Sequence, residues 1–234
     1  MNDSFPYAVP AAVADETSRA TFVRRTYGHL ALAILMFVGL EAILLNSPFS
    51  LYAAQAMSAG KFSWLIVLGV FMLVSHIANK WASSGSSRTM QYIGLSLYVV
   101  AEALIFLPIL LVATFMTKGN VIGPAAVMTL GLFLGLTAVV VITKKDFSFL
   151  SGILTIGGFA AMGFIVCGML FGFNLGVGFS AIMVVFSGIS ILYTTSNVMR
   201  QYGTDQYVAA ALSLFASVAL MFWYILRIFM SSRD

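Results

Sequence analysis

Charge is scarce in this chain. Of 234 residues, 9% are Asp, Glu, Lys or Arg and 61% are hydrophobic, and the mean hydropathy is +1.01. A water-facing domain carries roughly 25% charged residues, so no soluble surface can be built from this composition. Other shortages exclude particular chemistries. The 2 histidines, His29 and His76, are too few for a seven-helix zinc hydrolase, and no His-Glu-x-x-His occurs. Lysine is missing from residues 207–230, so a retinal Schiff base has no amine in the last apolar stretch. Asp3, Asp15, Asp146, Asp205 and Asp234 all lie outside the apolar runs, which removes the paired aspartates of an intramembrane aspartyl protease. Phe186-Ser187-Gly188-Ile189 is not the Gly-x-Ser-Gly of a serine counterpart. With one cysteine, Cys167, no disulfide can form within the chain. The chain is therefore expected not to be an enzyme and to need no cofactor or resident metal.

What the chain does have is long apolar sequence. Seven stretches, at about 27–45, 62–78, 92–116, 121–143, 149–173, 177–195 and 207–230, meet or approach the ~20 residues of helix that a ~30 Å hydrocarbon core requires. Barrel strands alternate polar and apolar residues. A run such as Leu65-Ile66-Val67-Leu68-Gly69-Val70-Phe71-Met72-Leu73-Val74 does not. The expectation is an all-α protein with seven transmembrane helices in the lipid bilayer. Residues 23–234 form the membrane domain, and residues 1–22 a mobile arm broken by Pro6, Pro10, Asp3, Asp15 and Glu16.

Eight of the 12 lysines and arginines fall on one side: Arg19, Arg24, Arg25, Lys80, Arg88, Lys144, Lys145 and Arg200. Lys61, Lys118, Arg227 and Arg233 fall on the other. The bias of basic residues toward cytoplasmic loops then puts the N-terminus in the cytoplasm and, after seven crossings, the C-terminus outside. The excess charge of +4 and the pI near 9.3 follow from that bias and are not a nucleic-acid footprint. The basic stretch before the first apolar run lacks a clear cleavage site and precedes a run too long for a signal peptide, so it reads as a retained anchor.

Polar groups at membrane depth are the candidate functional residues, since a carboxylate at a helix centre costs about 2.5–3.5 kcal/mol on insertion scales. Glu41 stands near the end of the first stretch, within expected reach of the interface. His76 near the end of the second is expected to snorkel toward water. Glu102 occupies the middle of the third stretch, six positions before Pro108, which removes a backbone donor and disturbs the helix. A carboxylate beside such a disturbance suits an ion or proton path; a structural hydrogen bond to a neighbouring helix is the alternative. Glycines, including Gly131 and Gly135 at small-xxx-small spacing, predict close helix contacts.

Thr143-Lys144-Lys145-Asp146-Phe147-Ser148 resembles the Thr-Lys-Arg/Lys-Asp-Phe/Leu-Ser loop of the Bax inhibitor-1 family. Ile191-Leu192-Tyr193-Thr194-Thr195 resembles the Tyr-Asp-Thr segment that closes its sixth helix. Ala211-Leu212-Ser213-Leu214-Phe215 through Leu226-Arg227-Ile228-Phe229 resembles its last helix, so the likeness spans about residues 20–232. The resemblance implies a seven-helix bundle with the last helix central, a plasma-membrane location of bacterial inner-membrane type, and a pH-sensitive leak for calcium or another small cation. It also implies an alternative: a non-transporting regulator acting by contact on a membrane partner, such as a membrane-anchored ATP-dependent protease. In that family two aspartates share a proton and latch the leak. Here Thr194 stands at the first position and Ser217 at the second. Neither hydroxyl titrates near neutrality, so the latch cannot operate as described. Glu102, Thr194, Ser217 and His76 remain as candidate ion-pathway residues. Thr194 and Ser217 are expected either to bond across helices or to bond back to their own helix carbonyls.

Overall fold

The computed structural model describes residues 9–58, 60–83, 87–117 and 120–232. Eight α-helices follow one another: α1 (Glu16–Leu45), α2 (Phe49–Ser58), α3 (Lys61–Ala82), α4 (Arg88–Leu111), α5 (Ile122–Thr143), α6 (Leu150–Phe171), α7 (Val177–Arg200) and α8 (Tyr207–Ser231). Seven are long and apolar enough to cross a bilayer, and they coincide with the seven expected stretches. The short α2 fills what sequence reading left as a connection. The only strand-type pairing among the described residues is the isolated bridge between Pro10 and Gly203.

Local sequence sets the ends. Asp15 caps α1 by accepting from the Ser18 amide at 2.9 Å, so the helix starts at Glu16, ahead of the boundary at residue 22 expected from the prolines upstream. Residues 9–11 are also tied down. The Ala11 amide donates to the Tyr202 carbonyl at 2.9 Å, and Thr204 donates to Val9 at 3.1 Å. The expected arm thus differs over its described part: it is anchored on the α7–α8 connection and helical from residue 16. Residues 1–8 lie outside the described residues. Lys144 ends α5 in the left-handed region at φ 52°, and Gly172 ends α6 at φ 75°. Pro108 lies inside α4, and the chain continues into a π-helical turn at Val112–Met116, closed by the Thr117 amide on the Val112 carbonyl at 3.1 Å. The disturbance expected around Pro108 therefore takes the form of a widened turn after it.

Burial is uneven. In α8, 72% of the apolar window is buried, against 50% in α4 and 6% in α6. Helix α8 packs on α1, α3, α4, α5 and α7, whereas α6 packs chiefly on α7 and α3. An aromatic cluster joins α1, α4 and α8. Phe106 lies edge-on to Trp223 at 4.9 Å between centroids and to Phe37 at 5.1 Å, and Phe37 and Tyr98 both meet Phe215 near 6 Å.

Tight glycine contacts are real but lie elsewhere than the expected pair. A Cβ on Gly131 or Gly135 would meet nothing within 4 Å. At Gly94 it would stand 2.6 Å from both the Ala78 carbonyl oxygen and the Ala82 amide nitrogen. The small-xxx-small spacing on α5 thus faces open space, and Gly94 is what lets α3 and α4 lie backbone to backbone.

A carboxylate-lined cavity and its hydroxyl cluster

Between α3, α4, α6, α7 and α8 lies a cavity of about 620 Å³. Its walls are mostly apolar, from Trp64 and Phe71 on α3 through Met162 and Met169 on α6 to Leu220 and Trp223 on α8. Glu102, Tyr98, Ser190, Ser217, Tyr224 and Arg227 are among the polar residues that line it. Glu102 is 6% exposed and interacts through its side chain with Tyr98, one turn earlier on the same helix. The central glutamate therefore faces the bundle interior.

Ser217 is the centre of a hydroxyl cluster. Its Oγ lies 3.0 Å from Ser190 Oγ and 3.4 Å from Thr194 Oγ1, both on α7, and it donates to the Ser213 carbonyl at 3.1 Å. Both bonding modes expected from sequence coexist: contacts across helices and a bond back to its own helix. One turn nearer the helix start, Ser213 Oγ pairs with the Tyr202 hydroxyl at 2.8 Å. Hydroxyl oxygens both donate and accept, and they suit hard cations as ligands, but they hold no charge near neutrality. Glu102 is thus the only carboxylate among the cavity's described lining residues.

The other candidates fall outside. His76 is exposed on α3 and does not line the cavity. Thr143, Lys144, Lys145 and Asp146 build a clasp between α5, α6 and α7. The Thr143 hydroxyl donates to the Val139 carbonyl at 2.6 Å, and Asp146 accepts from the Ser148 amide at 2.9 Å. Arg200 donates to the Lys144 carbonyl at 2.5 Å, and the Phe147 amide donates to Ser196 Oγ at 3.0 Å. The backbone and side-chain bonds from Ser148, with the Arg200 charge nearby, hold the Asp146 carboxyl below its ordinary value.

Sequence reading missed four participants. Ser190 stands four residues before Thr194, Tyr98 four before Glu102 and Ser213 four before Ser217, a spacing that places each pair on one helix face. Arg227, at the far end of α8, donates to the Leu175 carbonyl at 2.9 Å and ties that helix to the α6–α7 connection. Glu41 departs further from expectation. Instead of reaching the interface it is 4% exposed, and neither carboxyl oxygen has a hydrogen-bond partner among the described residues. Its position near the end of an apolar run gave no hint that α1 turns this face inward.

Fold and cavity together define an all-helical integral membrane protein in which, among the described residues, one carboxylate and a set of hydroxyls line a partly open space between helices. Residues 19–234 match the family model described as inhibitor of apoptosis-promoting Bax1, and the chain belongs to the Bax inhibitor-1 family. It is 33% identical to an uncharacterized protein of Pseudomonas aeruginosa over 95% of both chains. It is 25% identical to Bax inhibitor 1 of Schizosaccharomyces pombe, over 97% of this chain and 82% of the relative. Protein LIFEGUARD 4 of Arabidopsis thaliana is also 25% identical, over 96% and 90%.

Proposed function

We propose that the protein is a non-catalytic cation leak pathway of a bacterial plasma membrane, passing calcium or another small cation without a paired-aspartate latch. The distribution of lysine and arginine supports an N-terminus in the cytoplasm. The observation that carries this reading is the position of Glu102, a carboxylate on the wall of a partly open cavity between helices that it shares with Ser190 and Ser217. A charge buried in an apolar bundle has a large desolvation cost, and a passing cation with hydroxyl ligands offsets it. Thr194 contributes from behind Ser217, bonded to it but outside the lining.

The test is ion efflux from liposomes containing the purified chain, loaded with calcium or with sodium. Wild type is expected to leak and Glu102→Gln to lose most of the flux. An unchanged rate in the variant would remove the carboxylate from the pathway.

The contact reading has one observation in its favour, the docking of residues 9–11 on the α7–α8 connection, which holds the N-terminal segment at one end of the bundle. Deleting residues 2–12 spares the Asp15 cap. It should abolish a contact function with a membrane-anchored protease or other membrane partner while leaving cation flux intact.

A further inference from the structure

A second polar assembly lies where α4 and α8 begin and α1 is in its third turn, and none of its members lines the Glu102 cavity. The Arg25 guanidinium sits 5.5 Å from the Tyr207 ring centroid, and the Arg88 guanidinium 5.1 Å from the same centroid. Arg88 also donates to the Tyr207 hydroxyl, which lies 3.4 Å from the Tyr92 hydroxyl. His29 Nε2 is 3.1 Å from the Tyr92 hydroxyl, and its ring packs 5.0 Å from that of Tyr207. Two cations thus converge on one tyrosine from different helices. Neither forms an ion pair among the described residues, and the Arg25 guanidinium makes no hydrogen bond among them, although the Arg25 carbonyl accepts from His29 Nδ1 at 2.7 Å. Asp205, two residues before Tyr207, makes no ion pair with either arginine, and its buried Oδ1 has no hydrogen-bond partner among the described residues.

Two guanidinium groups, each within 5.5 Å of one ring centroid and with most of their planar donors unused, suit an anion with several acceptor oxygens. What adjoins them selects among such anions. Thr89, Tyr92, Ile93, Ser96, Leu97 and Val100 line an open groove of about 510 Å³ along the outer face of α4, starting at the tyrosine of the cluster. Ile93 and Val100 are 47% and 41% exposed there. From Thr89 to Val100 the groove runs roughly 16 Å along the helix, about half the ~30 Å hydrocarbon core and so about one leaflet deep. A free phosphate has no use for that groove. An acyl chain hanging from a phosphate head group fills it.

We propose that Arg25, Arg88, Tyr92 and Tyr207, with His29 holding Tyr92 in place, bind the phosphate of an anionic phospholipid whose acyl chain lies along the Tyr92–Leu97–Val100 face of α4. The arginines hold the head group and the two tyrosines contribute hydroxyls. Because the lipid bridges α1, α4 and α8, its occupancy ties together the three helices that carry the aromatic cluster.

The test is native mass spectrometry of the full chain released from micelles holding equal phosphatidylglycerol and phosphatidylcholine with identical acyl chains. Wild type is expected to retain one phosphatidylglycerol at least tenfold in preference to phosphatidylcholine. The double variant Arg25→Gln, Arg88→Gln should lose that preference. Ile93→Trp, a lipid-facing change that obstructs the groove and leaves the arginines intact, should lower retention several-fold, and it keeps the test decisive if the double variant fails to fold. Equal retention of the two lipids by wild type, or selectivity unchanged in both variants, would overturn the proposal. Displacement of the lipid by millimolar inorganic phosphate would overturn it too, by assigning the arginines to a soluble anion.

Discussion

Two glutamates sit inside this bundle, and their surroundings are opposite. Glu102 opens on a cavity, interacts with Tyr98 and shares its wall with Ser190 and Ser217. Glu41, one turn past Phe37 on α1, is also buried but has no hydrogen-bond partner for either oxygen among the described residues. One has the surroundings of a site and the other those of an uncompensated polar group. The difference lies in the neighbours. Helix α6 is loosely packed, with a cavity beside it, α3, α4 and α8, whereas α1 is applied closely to α4 and α8.

The comparison depends first on the wall behind Glu102. Gly94→Val puts side-chain atoms into the α3 backbone at Ala78 and Ala82, and should cost about 3 kcal/mol. Thermal unfolding in detergent would read this as a marked fall in midpoint, with cation flux lost as the wall separates. If Glu41 is only a cost, Glu41→Leu should stabilise the fold by about 2 kcal/mol, since a buried unpaired carboxyl is replaced by a hydrophobic group of similar size. A lower unfolding midpoint in that variant would mean that Glu41 has a partner the comparison denies it.

Exchanging each carboxyl for an amide separates the two by flux. Glu102→Gln should reduce liposome efflux about tenfold, equivalent to about 1.4 kcal/mol, while Glu41→Gln leaves it within about twofold. A similar loss in both would put them on one path. A smaller effect is expected at the far end of the cavity. There Arg227 is a fixed cation fastened to Leu175, and Arg227→Gln should raise cation flux about threefold by removing charge repulsion and the tie together.

The smallest effect contrasts the cavity with the surface clasp. Asp146 is held below its ordinary value when folded, so its contribution is complete above the usual carboxylate range and is lost as pH falls through the lowered value. Unfolding midpoints should be flat from pH 7 to about 5 and then drop slightly more in wild type than in Asp146→Asn. Flux near neutrality should not follow this group.

Much of the fold could be read along the chain. Each of the seven spans is marked by its own run of apolar residues, because the bilayer demands length and apolarity locally, without reference to neighbours. Glu102 could be singled out for the same reason: a carboxylate in mid-span is conspicuous wherever it points. The hydroxyl pairs were half legible, since Ser190 with Thr194 and Ser213 with Ser217 repeat at helical spacing. Gly131 and Gly135 misled, because spacing describes a helix face and says nothing of whether another helix lies against it. Gly94 carries no partner at that spacing, yet makes the closest approach.

The sequence alone therefore determined the solvent, the secondary structure and the number of crossings, all consequences of local composition. Only the tertiary structure decided which glutamate met a cavity, which glycine met a backbone and that Arg25 and Arg88 share one tyrosine. Those outcomes depend on how eight helices rotate and lean, and that is fixed by contacts between residues far apart in the chain.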